Sequence, residues 1–321
     1  MRIGRPVVSA FLVAVLIASA GSADPVTQAA CPGAAVVGTR LSLGADVLEN
    51  LAFWQGSLWI SDSTASSIRR FDAAGAELAG IDGVSSPGGL AAGSDGLMYA
   101  GTGNAAAGSI ARTGEAGVIR FDPAGVVTPF TSGFDMANGL AFDGDGNLWV
   151  SNDFGDGLVR IDPSGVWAKF VTNAWGMNGL VVDGGVMYAA VTFDQRSPIL
   201  RLRLGADPAV ESVMPLTTGV ASIRPEVFAD PDLDQPLVVK GLDDMTQGPD
   251  GALYVVGNGS GELLRVDPST GDACVVAAGL QNPSSVRAAP EDGGFSDGNS
   301  ETVDFWITEF SGRVRTVVYT P

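Results

Sequence analysis

The sequence predicts an all-β protein, a six-bladed β-propeller built from four-stranded antiparallel blades. Three observations predict it. One phrase returns six times, each return is followed by a period-two strand that ends in a turn, and the copies are spaced as blades are. The phrase opens on a polar or small residue, continues through an apolar run and a Gly-containing turn, and closes on a second apolar run carrying Trp, Tyr or Met. It reads ENLAFWQGSLWIS from Glu49, GGLAAGSDGLMYAG from Gly88 and NGLAFDGDGNLWVS from Asn138. It returns as NGLVVDGGVMYAA from Asn178, DDMTQGPDGALYVVG from Asp243 and, more loosely, SSVRAAP…VDFWIT from Ser284.

The third strand of each unit is SSIRRFDAAG, AGVIRFDPAG, DGLVRIDPSG, SPILRLRLGAD, GELLRVDPSTG or SGRVRTVVY. Apolar residues alternate with Arg or Ser there, and Asp-Pro-x-Gly supplies the turn that follows. VVTPFT, VWAKFVT and CVVAAG supply outer strands. Blades beginning near 49, 88, 138, 178, 243 and 284 are 39, 50, 40, 65 and 41 residues apart. A pair of β-sandwiches would not repeat one phrase six times, and a β-helix would repeat at about half this period. The long step holds residues 204–239, rich in Pro and Asp, which are expected to form an excursion loop over one face with a short strand.

Composition narrows the chemistry. The chain has 36 acidic and 18 basic residues, two Cys and no His. Without His there is no Ser-His-Asp triad, no His-ligated zinc and no His base. A net charge of −18 repels nucleic-acid backbones and anionic membranes, so neither is expected as a partner. A soluble monomer holding a hard cation fits that charge.

Residues 1–23 have the pattern of a signal peptide. Arg2 and Arg5 precede an apolar run over residues 7–17, and Ala18-Ser-Ala20 offers small residues for cleavage. A retained anchor is the competing reading of this segment. Lipid attachment at Cys31 is disfavoured by the polar Gln28. Residues 24–321 form the propeller domain, secreted or periplasmic, with no membrane association after processing. Cys31 and Cys274 then lie in an oxidising compartment, where they either bridge or remain two thiols.

The phrase before each first turn is the innermost strand of a blade. Residues at one register therefore converge at one mouth of the central channel: Glu49, Gly88, Asn138, Asn178, Asp243 and Ser284. Two carboxylates facing each other in a poorly hydrated channel repel unless a cation sits between them. Oxygen donors only, two of them charged, suit Ca²⁺, or another divalent cation, with backbone carbonyls or water completing the shell. The competing explanation is local, since Asn or Asp before Gly-Leu also makes turns.

At these residues the chain resembles the senescence marker protein/gluconolactonase family, with related patterning in paraoxonases and diisopropyl fluorophosphatase. ENLAFWQGSLWISD, ANGLAFDGDGNLWVSND and LDDMTQGPDGALYV carry the resemblance, which covers the chain from about residue 40 onward. It implies that Glu49, Asn138, Asn178 and Asp243 ligate one Ca²⁺, and that Asp243 directs water onto a lactone or ester carbonyl. The pair Asp243-Asp244 looks like an Asp-Asn pair of the paraoxonases, with Asp244 and Ser284 placed behind the ligands. A Cys31–Cys274 bridge would echo a disulfide that ties the termini. The chain departs from the pattern in having Gly88 where some members place Asn, and in lacking the paraoxonase His residues.

Asp62, Asn104, Asn152, Asp153, Asp194, Asn258 and Glu309 follow the returning strands and are expected to rim the same mouth. Of these, Asp62, Asn152, Asp153 and Asn258 are the candidate substrate contacts. Phe154, Phe193, Trp175 and Met177 either form an apolar wall there or pack between blades. GFSDG at 294–298 satisfies an esterase nucleophile pattern only by chance without His. DGDGN at 143–147 starts like a calcium loop and reads better as a hairpin turn. Two functions follow: a secreted calcium-dependent hydrolase of a small lactone or ester, or a non-catalytic propeller of the NHL-like kind that binds a partner around a structural ion.

Overall fold

The computed structural model of the protein describes residues 28–194, 196–217 and 240–321. The expected signal peptide lies outside these residues. Strand β1 (Ala34–Ser42) comes first and is taken up last. Blade one is β2 (Leu48–Trp54), β3 (Ser57–Asp62), β4 (Ser67–Phe71) and β5 (Glu77–Asp82). Blade two is β6 (Leu90–Ala92), β7 (Met98–Thr102), β8 (Ala116–Phe121) and β9 (Val127–Phe134), with a short helix α1 (Ala106–Ala111) between β7 and β8. Blade three is β10 (Leu140–Phe142), β11 (Leu148–Val150), β12 (Asp156–Ile161) and β13 (Trp167–Trp175). Blade four is β14 (Met177–Asp183), β15 (Val186–Val191), β16 (Pro198–Arg203) and β17 (Ala209–Pro215). Blade five is β18 (Leu242–Gln247), β19 (Leu253–Gly257), β20 (Glu262–Val266) and β21 (Ala273–Ala278). The last blade is β22 (Pro283–Ala288), β23 (Val303–Glu309) and β24 (Arg313–Thr320), completed on its outer edge by β1.

These are six four-stranded antiparallel sheets, the arrangement of a six-bladed propeller. Part of the expected excursion, Ala209–Pro215, is the outermost strand of blade four; residues 218–239 lie outside the described chain. Among the described residues, no helix is long and apolar enough to cross a membrane.

The recurring phrase has a physical basis. Its aromatic residue stands directly across from an Arg of the third strand: Trp59 from Arg70, Tyr99 from Arg120, Trp149 from Arg160, Tyr188 from Arg201 and Tyr254 from Arg265. The guanidinium of Arg70 lies 5.0 Å from the Trp59 ring centre, within cation–π range. The polar end of the ring holds the turn before it. Trp149 Nε1 donates to Asp143 at 2.8 Å and the Tyr99 hydroxyl donates to Asp95 at 2.8 Å. DGDGN is therefore a hairpin turn, closed by Asp143 N–H donating to the Asn147 carbonyl. The Asp-Pro-x-Gly turns work the same way: Asp122 and Asp162 each accept two backbone N–H groups of their own turns.

Successive side chains of a strand point to opposite faces, so the inner strands are buried on both sides. On β3, Leu58 and Ile60 join a cluster shared with the last blade, while Trp59 joins one shared with blade two. Six such clusters occupy the six blade-to-blade seams among the described residues. Phe295 of GFSDG belongs to one of them, packed on Phe53 and Trp306.

The ring is closed by the N-terminal segment. Strand β1 pairs with β24 from Ala34–Thr320 to Ser42–Arg313. Just before it, Cys31 N–H donates to Val275 O, Val275 N–H donates to Ala29 O, and Cys31 and Cys274 form a disulfide. One stretch of chain thus clasps blades five and six together. The bridge spans 243 residues, a loop long enough for its closure to remove substantial entropy from the unfolded chain. Cys31→Ser is expected to lower the unfolding free energy by about 2–5 kcal/mol in urea titration, whereas a loss below about 1 kcal/mol would show that strand pairing alone closes the ring.

Candidate functional site

Each innermost strand begins with a β-bulge. Pairing shifts register between Leu48 and Asn50, Met177 and Leu180, Leu242 and Met245, and Pro283 and Ser285. In blade two Gly88 and Gly89 both oppose Gly101, and in blade three Asn138 and Gly139 both oppose Ser151. A bulge leaves one residue out of the ladder and re-aims its side chain. In every blade the bulge includes the residue singled out from the sequence: Glu49, Gly88, Asn138, Asn178, Asp243 and Ser284.

The bulges stack three layers along the axis. The third is Leu51, Leu90, Leu140, Leu180, Met245 and Val286, all buried, one in each of the six seam clusters. The middle layer is glycine over half its circumference, because the inner strands approach too closely for a side chain. A Cβ on Gly139 would lie 2.4 Å from Asn178 O, and one on Gly179 would lie 2.5 Å from Asp244 Cα. The other half of this layer is polar. Asp244 accepts from Asn50 Nδ2 at 2.9 Å, from Ser285 Oγ, from its neighbour Met245 N–H and from Arg287, which pairs with it as an ion. Sequence reasoning missed Arg287 and Asn50, whose partners lie in other blades.

The first layer carries the unbalanced charge. Burial pushes the Glu49 carboxyl up to about 7, reinforced by the Asp153 charge and opposed by a hydrogen bond from Asn104. Glu49 is only partly buried as a residue, so its carboxyl is the enclosed end. Burial also raises Asp153 to about 7, against a hydrogen bond from Asn138. Asp243 is raised by burial first and then by the charges of Glu49, Asp153 and Asp244, while Asn178 hydrogen-bonds it. The charges of Glu49 and Asp153 thus both act on Asp243, and that of Asp153 on Glu49.

Amides surround them. Asn104 Nδ2 donates to Glu49 at 2.7 Å and Asn258 Nδ2 donates to Asp243 at 3.3 Å. Asn104 stands where blade two lacks a side chain, its Cβ 3.1 Å from the position a Cβ on Gly88 would take. The main-chain carbonyls of Gly88, Asn138 and Asn178 already accept from Ser61 Oγ, Gly89 N–H and Ser151 Oγ. Side-chain oxygens are therefore what this layer offers a ligand.

The other expected rim residues have different engagements. Asp62 accepts from Ala65 N–H and Arg69, and Asn152 accepts from Ser109 Oγ and Phe154 N–H. Asp194 pairs with Arg196, and Glu309 accepts from Gln281 N–H and Ser311. Ser284 Oγ donates to Leu48 O at 2.6 Å, turned onto main chain.

Two buried side-chain oxygens here have no hydrogen-bond partner, Asp153 Oδ1 and Asn104 Oδ1. Such orphans are costly unless a ligand satisfies them. Among the described residues, no three His, Cys, Asp or Glu side chains make a metal cage by themselves. The donor set is mixed, acids with amides, and all oxygen on its accepting side. It fits a hard divalent cation.

No family model and no curated protein sequence matches the chain. Solved structures do resemble it in fold. A candidate gluconolactonase is 13% identical with a TM-score of 0.60, over 91% of this chain and 94% of its own. A virginiamycin B lyase from Staphylococcus aureus is 12% identical with a TM-score of 0.57, over 88% and 99%. An auxiliary nutrient binding protein from Bacteroides ovatus is 13% identical with a TM-score of 0.66, over 90% and 78%. At these identities the likeness is one of fold.

The raised carboxyls set a direction for stability. Unfolded, Glu49 and Asp153 ionise near their ordinary values of 4.5 and 3.8; folded, they hold their protons to about 7. Between those limits the folded state binds more protons, so stability falls as pH rises. In chelator, melting temperature should therefore drop from pH 4.5 to 7.5 more steeply for the wild type than for Glu49→Gln with Asp153→Asn. Equal slopes would show that these two groups do not carry the penalty.

Proposed function

We propose that the first layer binds one Ca²⁺ through Glu49, Asn138, Asn178 and Asp243, and that the protein is an exported hydrolase of lactones or esters. The observation that supports this best is the meeting of three enclosed carboxyls with unpartnered oxygens on Asp153 and Asn104, while the only acid of the middle layer's network, Asp244, already has Arg287. Export is supported by the disulfide and by the leader-like pattern of residues 1–23.

Calcium bound there would supply Lewis-acid stabilisation of the oxygen that gains charge as a carbonyl is attacked. The remaining work falls to the chain. Asp243, held by Asn178 and Asn258, orients the attacking water. Asp153, with one oxygen uncommitted, receives the proton that water gives up and returns it to the alkoxide released as the bond between the carbonyl carbon and the ester oxygen breaks. Asn104 fixes the Glu49 carboxylate in the gap left by Gly88.

A second reading, a non-catalytic NHL-like propeller with a structural ion, draws support from the likeness to a nutrient binding protein. One experiment separates the two: turnover of a lactone and ester panel with calcium and with chelator. For a hydrolase, chelation should lower kcat/KM by at least about a hundredfold, calcium should restore it, and Asp243→Asn and Asp153→Asn should each cost about as much. A calcium-dependent rise in melting temperature without turnover would establish the binding protein instead.

A further inference from the structure

Three aromatic rings stand together where blades three and four meet, Phe154 and Phe193 in turns and Trp175 at the end of β13. Phe154 and Phe193 have centroids 4.9 Å apart, Trp175 and Phe193 5.6 Å, and Phe154 and Trp175 6.5 Å. None belongs to the six clusters that fill the seams. Phe193 is buried, while Phe154 and Trp175 stay partly exposed.

The group adjoins the charged layer through three links. Phe154 follows Asp153 in sequence. A Cβ on Gly176, the residue between Trp175 and Met177, would lie 3.3 Å from Asp153 O and 3.6 Å from the Phe193 ring. Thr192, beside Phe193, accepts from Asn178 Nδ2 at 3.2 Å. The nearby loop cations are already occupied, Arg196 by Asp194 and Lys240 by Glu262. This sector therefore offers apolar ring surface next to several acids, with no free cation among those two to meet an anion.

We infer that Phe154, Trp175 and Phe193 form an apolar subsite that selects uncharged substrates with an alkyl or aryl portion and disfavours polyhydroxylated or anionic lactones. The inference rests on the hydrolase reading and names its substrate class. Partly exposed rings gain by covering apolar surface, whereas a sugar's hydroxyls would lose water there without finding donors or acceptors. Trp175 and Phe154 are the specificity-determining residues.

The test compares γ-decanolactone, phenyl acetate and δ-gluconolactone, together with a non-hydrolysable alkyl lactam followed by tryptophan emission. The wild type should favour γ-decanolactone over δ-gluconolactone by at least about tenfold in kcat/KM. Trp175→Ala and Phe154→Ala should each raise KM for γ-decanolactone about tenfold, leave δ-gluconolactone within about twofold and weaken lactam binding, while Trp175→Phe retains it. A wild type that prefers δ-gluconolactone, or variants that affect both lactones equally, overturns the subsite and leaves the hydrolase reading standing. Lactam binding that depends on Trp175 without any hydrolysis supports the subsite and overturns the hydrolase. Neither binding nor hydrolysis overturns both.

Discussion

Everything at the axis depends on a main-chain misfit repeated six times. The inner strands carry one residue too many where their pairing begins, and the bulges that result hold Glu49, Asn138, Asn178 and Asp243. Hydroxyl groups lock the same places between blades: Ser61 to Gly88 O, Ser151 to Asn178 O, Thr192 to Leu242 O and Ser284 to Leu48 O. The blades are thus registered against one another at the level where the acids meet. A slip of one strand would move Glu49 or Asp243 out of the ring and put a Leu in its place.

The axis separates charge into two kinds. Asp244, in the glycine-lined layer, lies among donors from Asn50, Ser285 and Arg287 and is charge-balanced by the chain itself. Glu49, Asp153 and Asp243 have amides as neighbours and no Arg or Lys bonded to them among the described residues. A buried acid without a counter-charge is normally eliminated from a fold or kept neutral. Glu49, Asp153 and Asp243 are retained without one, a local conflict that the rest of the chain does not relieve.

Much of this was legible in the sequence because repetition turns spacing into geometry. The six phrases set blade number, and their first residues fall in the bulges that open the inner strands. The adjacent Asp244 was harder to place, since a regular strand would turn it away from Asp243; the bulge that decides the matter depends on partner strands and leaves no local mark. Asn104 could be listed as a rim residue, but its filling of the Gly88 gap appears only once the blades are assembled. Arg287 sits in the loosest repeat and acts across three blades, so periodicity did not single it out. Strand β1 escaped notice because AAVVGTRLS alternates poorly, and most of its length stays exposed on the outer edge of the last blade.

That borrowed strand also governs the order in which the molecule can be completed. A chain growing from its first residue can build five blades from contiguous segments, but its opening residues must wait, unpaired, until the final hairpin exists to receive them. Sealing the circle is therefore the terminal act of folding, and the thiols that fasten it meet only after nearly the whole polypeptide is available. A truncated product lacking β24 would leave β1 without its partner and the last blade incomplete.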